Sequence, residues 1–317
     1  MNCLLFQLRF NTPVHFGGSD SALSLYSSED HFRADTLFSA LCHTALQMCG
    51  EEGLNRLLTL AKNGQLLLSD AMPWAGDSFY LPRPYVTART KEELPAEKRK
   101  AIKKLAWIPA NRLAEYCAAL RSGVFFACEA VSFGENREII KVGLPSLGDA
   151  HPYPVGLYCF RENCGLYFLA ACGEGDGKWL SGLVQALGIT GIGGKISAGY
   201  GKFSVIRAVT LSETIHPVLY RALTTPAEKA LLLTTSLPRD EELDSALDGA
   251  EYQLVRRAGF VASDAYADTP RKKQTQHYLA AGSVVRNRFS GDVYEIGVSG
   301  NHPVYRYGKP LFLGVKL

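Results

Sequence analysis

Apolar residues in this chain recur with two periods, and where one gives way to the other an element boundary is predicted. In "CLLFQLRF" (residues 3–10) alternation separates Leu4, Phe6, Leu8 and Phe10 from Leu5, Gln7 and Arg9, the two-residue period of a strand. A polar, glycine-bearing loop follows. "DTLFSALCHTALQMCG" (35–50) then places apolar side chains at Leu37, Phe38, Leu41, Cys42, Ala45 and Leu46, predicting an amphipathic helix with Asp35 as N-cap and Gly50 as its stop. "GQLLLSDAMPW" (64–74) reads as a second strand and "LYCFRENCGLYFLAAC" (157–172) as a β-hairpin about "RENCG". "KWLSGLVQAL" (178–187) reads as a helix through Trp179, Leu180, Leu183, Val184 and Leu187, and "KFSVIRAVTL" (202–211) as a strand.

Between about 81 and 156 the periodicity lapses, which marks a long insertion. Within it "EKRKAIKKLAW" (97–107) is helix-like, and "GVFFACEAVSFG" (123–134) with "REIIKVGL" (137–144) predicts an extended hairpin. With the insertion set aside, the order is β-α-β-β-α-β, the ferredoxin-like or RRM-like plan. A break at His216 and Pro217 ends that unit. Beyond it "KALLLTTSLP", "RDEELDSAL", "YQLVRRAGFVA" and three short strands predict a second, less regular copy. The expected fold class is α+β, with two tandem ferredoxin-like domains at residues 1–213 and 214–317, the insertion at about 81–156 and a glycine-rich loop at 188–201.

Length fits that division, since 317 residues exceed one average domain, and 47% hydrophobic with 21% charged residues is the balance of a folded chain. No apolar run approaches the ~20 residues of a membrane span and no basic leader opens the chain, so a cytoplasmic protein is expected, with no membrane partner. Eight cysteines lie mostly in apolar runs with no CxxC pair or His/Cys ligand spacing, so neither metal nor cofactor is expected. The net charge of +3 does not by itself indicate a polyanionic partner. Its distribution does more: residues 89–112 hold eight Lys/Arg against three Glu, and "RKK" (271–273) and "RNR" (286–288) repeat the bias.

"GITGIGGKISAGYGK" (188–202) concentrates six glycines, two lysines and a tyrosine. A Walker A loop would need glycine where Ile189 stands and a hydroxyl where Ile196 stands, and the dinucleotide pattern from Gly191 and Gly193 also fails at Ile196. The loop trails a helix and precedes a strand, so the helix end beside it is the negative one. An anion there is held by the loop's amides and by Lys195 and Lys202. Tyr200, set between glycines beside Lys202, adds a stacking surface of the kind that binds single-stranded nucleic acid.

Four further segments accompany this loop: "PVHFGG" after the first strand, "RADTLFSALCHTAL", "SDAMPWAGDSFYLPRPY" and the C-terminal "HPVYRYGKPLFLGVKL". Together they resemble the Csm-four family of RAMP proteins from type III-A CRISPR effector complexes, itself related to the Cas-five group. The resemblance implies a non-catalytic subunit of an antiviral ribonucleoprotein. Such a subunit holds the 5′ repeat-derived tag of the CRISPR RNA and bridges the large polymerase-like subunit to the backbone RAMP subunits. It also implies that the inserted hairpin acts as a thumb at the junction of tag and guide, which would place Lys141 on RNA. Here "KVGLPSLGDAHPYPVG" (141–156) stands where relatives carry an Asn-x-Ile-Asp-Arg-like stretch.

The RNA-binding set expected on these grounds is His15, Arg33, Arg83, Lys141, Gly191, Gly193, Gly194, Lys195, Gly199, Tyr200 and Lys202. Arg33, in a loop ahead of the first helix, is free to reach a phosphate, and Arg83, fixed between Pro82 and Pro84, contacts either RNA or a subunit. His15 occupies the place where RNA-processing RAMP relatives keep a general acid or base, which leaves two roles open. Either it takes a 2′-hydroxyl proton, making the chain a metal-independent endoribonuclease, or it hydrogen-bonds phosphate or backbone. A purely protein-bridging subunit is the third reading. Tyr305 and Tyr307 alternate around Arg306 as on a strand, which fits core or interface better than RNA.

Overall fold

The computed structural model describes residues 2–18, 25–86, 105–143 and 150–317. Strand β1 (Asn2–Phe10) is an inner strand of the largest sheet, and both of its faces are apolar enough to bury. On one face Phe6 and Leu8 pack against Leu37, Phe38 and Leu41 of helix α1 (Ala34–Lys62). On the other, Leu5 joins a second core. Strands β2 (Leu66–Leu68), β3 (Met72–Ala75), β4 (Ser78–Pro82) and β5 (Trp107–Pro109) follow, then helix α2 (Leu113–Ser122). Next come the hairpin strands β6 (Gly134–Gly143) and β7 (His151–Phe160), then β8 (Cys164–Cys172), helix α3 (Glu174–Thr190) and β9 (Phe203–Thr210).

The antiparallel order is β5-β4-β3-β8-β1-β9, with β2 also on β8. Around β1 the spatial order is thus β9, β1, β8 and β2. Leu180, Leu183, Val184 and Leu187 of α3 share the helix-side core with α1. The opposite core is completed by the C-terminal part of the chain: Leu219 of α4 (Pro217–Thr224), Leu231 of β10 (Lys229–Leu232) and, further on, Leu313. Helix α5 (Leu243–Leu247), β11 (Leu254–Arg257), β12 (Gln276–Leu279), β13 (Val284–Val285), β14 (Val293–Glu295), β15 (Tyr305–Tyr307) and β16 (Phe312–Val315) complete the chain. They form one three-stranded sheet, β13-β10-β16, and two two-stranded ones, β11-β12 and β14-β15. The fold is therefore a mixed α and β architecture on antiparallel sheets.

Several local expectations are corrected. Gly50 (φ 64°, ψ −159°) ends the first helical stretch, as expected, but a second stretch that was not expected continues from the kink to Lys62, where Leu57 and Ala61 still find the core. Asp35 sits inside the first turn and caps nothing; Asp70 supplies the cap from afar, its Oδ1 accepting from the amides of Ala34 (2.8 Å) and Thr235 (3.0 Å). Asp70 also interrupts the second strand, and Thr235 donates its hydroxyl to Oδ2 at 2.6 Å. The carboxyl's pKa is raised because burial outweighs these hydrogen bonds.

The hairpin in the insertion pairs β6 with β7, over ten residue pairs from Gly134↔Phe160 to Gly143↔His151, instead of with residues 123–133. The apolar side chains of that earlier segment are drawn elsewhere: Phe126 packs with Ile108 and Tyr116, and Phe133 with Tyr80. The turn about Asn163 exists, yet β7 and β8 diverge after it, β8 being buried along its whole length between β1 and β3. The helix-like stretch at 97–107 lies mostly outside the described residues. Its last residue, Trp107, opens β5. All eight cysteines are free thiols, and burial pushes those of Cys3 and Cys42 up to about 12. Among the described residues no helix is long and apolar enough to cross a membrane, and no group of three or more His, Cys, Asp or Glu could hold a metal.

Candidate nucleic-acid interface

Helix α3 ends at Gly191 (φ 96°), and the chain turns back so that the Ile192 amide donates to Gly201 O at 3.0 Å. The closed loop lies on residues 11–15, which leave β1. Gly194 N donates to His15 O (2.8 Å), Gly201 N to Pro13 O (2.9 Å) and Asn11 N to Lys202 O (2.8 Å). What comes so close to this glycine-rich backbone is therefore the chain's own backbone. A Cβ on Gly193 (φ 102°) would stand 2.7 Å from His15 O, and one on Gly201 (φ 77°) would stand 2.1 Å from Ile192 O. Gly199 differs: nothing lies within 4 Å of its Cβ position, at the outer turn beside Tyr200.

His15 is buried, its Nδ1 2.6 Å from Gly156 O of β7. A carbonyl only accepts, so Nδ1 carries the hydrogen of that bond. The residue thereby ties the hairpin, through its ring, to the loop, through its carbonyl. Arg33 is not free: it makes a forked pair with Glu29 at 2.5 and 3.1 Å. Arg83 stands apart from the loop, on a segment docked to the C-terminal part of the chain, where the neighbouring Tyr85 amide donates to Gly282 O at 2.8 Å. Its guanidinium lies 5.8 Å from the Tyr85 ring centroid.

Lys141, by contrast, does meet the loop. Its ammonium lies 4.8 Å from the Tyr200 ring centroid, while Lys195 lies 5.1 Å from that of Tyr153. Lys141 and Tyr153 are cross-strand partners in β6 and β7, so the hairpin and the loop each give one lysine and one ring. Tyr153 was not among the residues singled out from the sequence. An aromatic between Pro152 and Pro154 in a thumb-like segment was its only signal. Lys202 projects from the loop's end, exposed.

On its other side the loop borders a groove of about 510 Å³, lined by His15, Gly193, Arg33, Asp35, His43 and Lys273 among others. Asp35 there receives a forked pair from Arg257 (2.9 and 2.8 Å), with Arg306 Nε at 3.8 Å. Burial alone would push the Asp35 carboxyl up; Arg257 and Arg306 overcome that and hold it below the usual carboxylate range. Arg306 is itself buried, donating to the carbonyls of Arg257 (3.1 Å) and Gln274 (3.0 Å). Lys273 is the spare cation. Burial lowers its ammonium pKa and repulsion from Arg306 and Arg257 adds to this against the pull of Asp35, and no carboxylate lies within ion-pair distance among the described residues. An anion entering the groove would relieve that repulsion.

The family model for the CRISPR Csm4 C-terminal domain matches residues 225–315. A curated relative from Mycobacterium tuberculosis (strain CDC 1551 / Oshkosh), "CRISPR system Cms protein Csm4", is 36% identical over 316 residues, covering 99% of this chain and 98% of the relative. A relative of the same description from Streptococcus thermophilus is 28% identical over 317 residues, covering 96% of each. Among solved structures, a chain of a Csm1–Csm4 cassette in complex with cA4 superposes with a TM-score of 0.64 at 20% identity, covering 100% of this chain and 99% of that one. A chain of a Csm3–Csm4 subcomplex in the type III-A CRISPR-Cas interference complex does so at 0.62 and 17%, with both chains covered in full. At those identities the structural likeness is one of fold.

Proposed function

The chain belongs to the Csm4 family, and from that premise we propose that it is the non-catalytic subunit of a type III-A CRISPR ribonucleoprotein that holds the 5′ repeat-derived tag of the CRISPR RNA. The observation that carries this reading is the pairing of a cationic groove with the outer face of the glycine loop. Lys195 and Lys202 on the loop and Lys273 in the groove have no carboxylate partner among the described residues, and the rings of Tyr200 and Tyr153 lie on the loop's hairpin side. Cations that neutralise phosphates and aromatics that stack bases are what single-stranded RNA requires. The glycines serve this at one remove: Gly191, Gly193, Gly194 and Gly201 seat the loop on residues 11–15, so that Gly199, Tyr200 and the lysines face outward.

On this reading the chain comprises two ferredoxin-like units, residues 1–213 and a reduced copy at 214–317 in which β10 lies between β13 and β16. The relatives solved with Csm1 and with Csm3 support it as a bridge between a large polymerase-like subunit and a backbone subunit. Arg83, on the segment that joins the two units, belongs to scaffolding in this account. His15 acts as a tether in this account, its Nδ1 holding Gly156 O of the hairpin while its own carbonyl holds the loop at Gly194.

Replacing Lys195 and Lys202 together by Ala is expected to weaken binding of repeat-derived RNA. It should also reduce the slope of log affinity against log salt by about 1.4, from roughly 0.7 per phosphate contact on a single strand. Titrations at several salt concentrations read this directly. An unchanged slope would remove the lysines from the RNA path.

A further inference from the structure

Two contacts between the inserted hairpin and the glycine loop are reciprocal, and this arrangement carries more than RNA holding alone requires. The loop's Lys195 covers the hairpin's Tyr153, and the hairpin's Lys141 covers the loop's Tyr200. Lys141 and Tyr153 face each other across the β6–β7 ladder, so both contacts meet the hairpin at the same level. The hairpin's base is fixed below them by His15 Nδ1 on Gly156 O and by the bridge between Val14 and Tyr158. The strand ends that carry Lys141 and Tyr153 lie beyond that anchor, with Ile140 and Val142 exposed beside them.

We propose, resting on the RNA-binding reading above, that Tyr153 and Tyr200 are a paired stacking platform for two RNA bases. The two lysines keep the rings covered until phosphates draw them away. The energetics favour such an exchange. A lysine over an exposed ring contributes about 0.5–1 kcal/mol, whereas base stacking on an aromatic is worth about 1–3 kcal/mol per base. RNA offers both the ring a base and the lysine a phosphate. A strand lacking bases offers only the second, and must leave each ring bare.

That asymmetry sets the test. In the full-length chain, Tyr153→Leu is expected to lower affinity for an oligouridylate about tenfold, because a stacking ring is lost. The same variant should bind an abasic strand of equal length about two- to fivefold more tightly, because Lys195 no longer has to leave a ring. Tyr200→Leu should repeat this opposed pattern through Lys141, and Tyr153→Phe, which keeps a ring, should behave as wild type on both strands. If both strands weaken alike in Tyr153→Leu and Tyr200→Leu, the rings are structural props; if neither changes, they take no part. Either result overturns the proposal while RNA binding by the wild type stands. A wild-type chain that retains neither strand contradicts the RNA-binding reading and the platform with it.

Discussion

Asp35→Ala is expected to lower the unfolding free energy by about 3–5 kcal/mol, the range for removing one partner of a buried ion pair. Asp35 is almost wholly enclosed, and its loss leaves the Arg257 guanidinium, hydrogen-bonded to it twice, desolvated and unpaired. The pair also joins helix α1 to strand β11 across 222 positions of sequence, so the cost falls on the contact between the two halves of the chain. Chemical denaturation of wild type and variant measures it. The pH dependence follows from the lowered carboxyl. Its stabilisation is fully present above the unfolded value, about 3.9 for aspartate, and is lost as the pH falls through the lower folded value. The gap between wild type and Asp35→Asn should accordingly close in acid. Replacing the pair by Leu at 35 and Met at 257 should cost less than Asp35→Ala, because Arg257 is no longer left unpaired and only Arg306, held also by two carbonyls, loses its neighbouring carboxylate. Equal losses in the two would show that packing, and not charge, is the issue.

Gly201→Ala is expected to have the second large effect, about 2–5 kcal/mol of local stability from a left-handed backbone combined with overlap against a fixed carbonyl. Its Cβ would lie 2.1 Å from Ile192 O, and neither backbone can yield without lifting the loop from Pro13 and His15. RNA retention should fall at least tenfold with it, since Tyr200 and the lysines lose their mount. Gly199→Ala shares the positive φ but meets nothing within 4 Å, so it should cost only the roughly 1–2 kcal/mol of the left-handed conformation. Hydrogen exchange at the amides of Gly194 and Gly201, both bonded to the 13–15 segment, reads the loop directly. Equal protection in the two variants would contradict this account of the glycines.

Elements set by local pattern were legible in the sequence. Leu37, Phe38 and Leu41 declared α1, Leu180, Leu183 and Leu187 declared α3, and the loop between α3 and β9 stood out by composition. Partners distant along the chain were not. Nothing near Asp35 announces Arg257, so a capping role was the local reading, and Asp70, the actual cap, finds Thr235 at 165 positions' remove. The hairpin was expected from the right residues of β6 but with the wrong partner, because Phe126 and Phe133 were free to pack elsewhere. Lys195 and Tyr200 were readable from their glycine setting; Tyr153 became visible only once the ladder set it opposite Lys141.

The most direct test of the central claim is to incubate the purified chain with 5′-labelled repeat-derived RNA, with and without chelator, and read retention and strand integrity from one sample. Retained, intact RNA is expected under both conditions, with retention weakened by added salt. RNA that passes through unbound would contradict the claim, as would cleavage that survives chelation and disappears in His15→Ala.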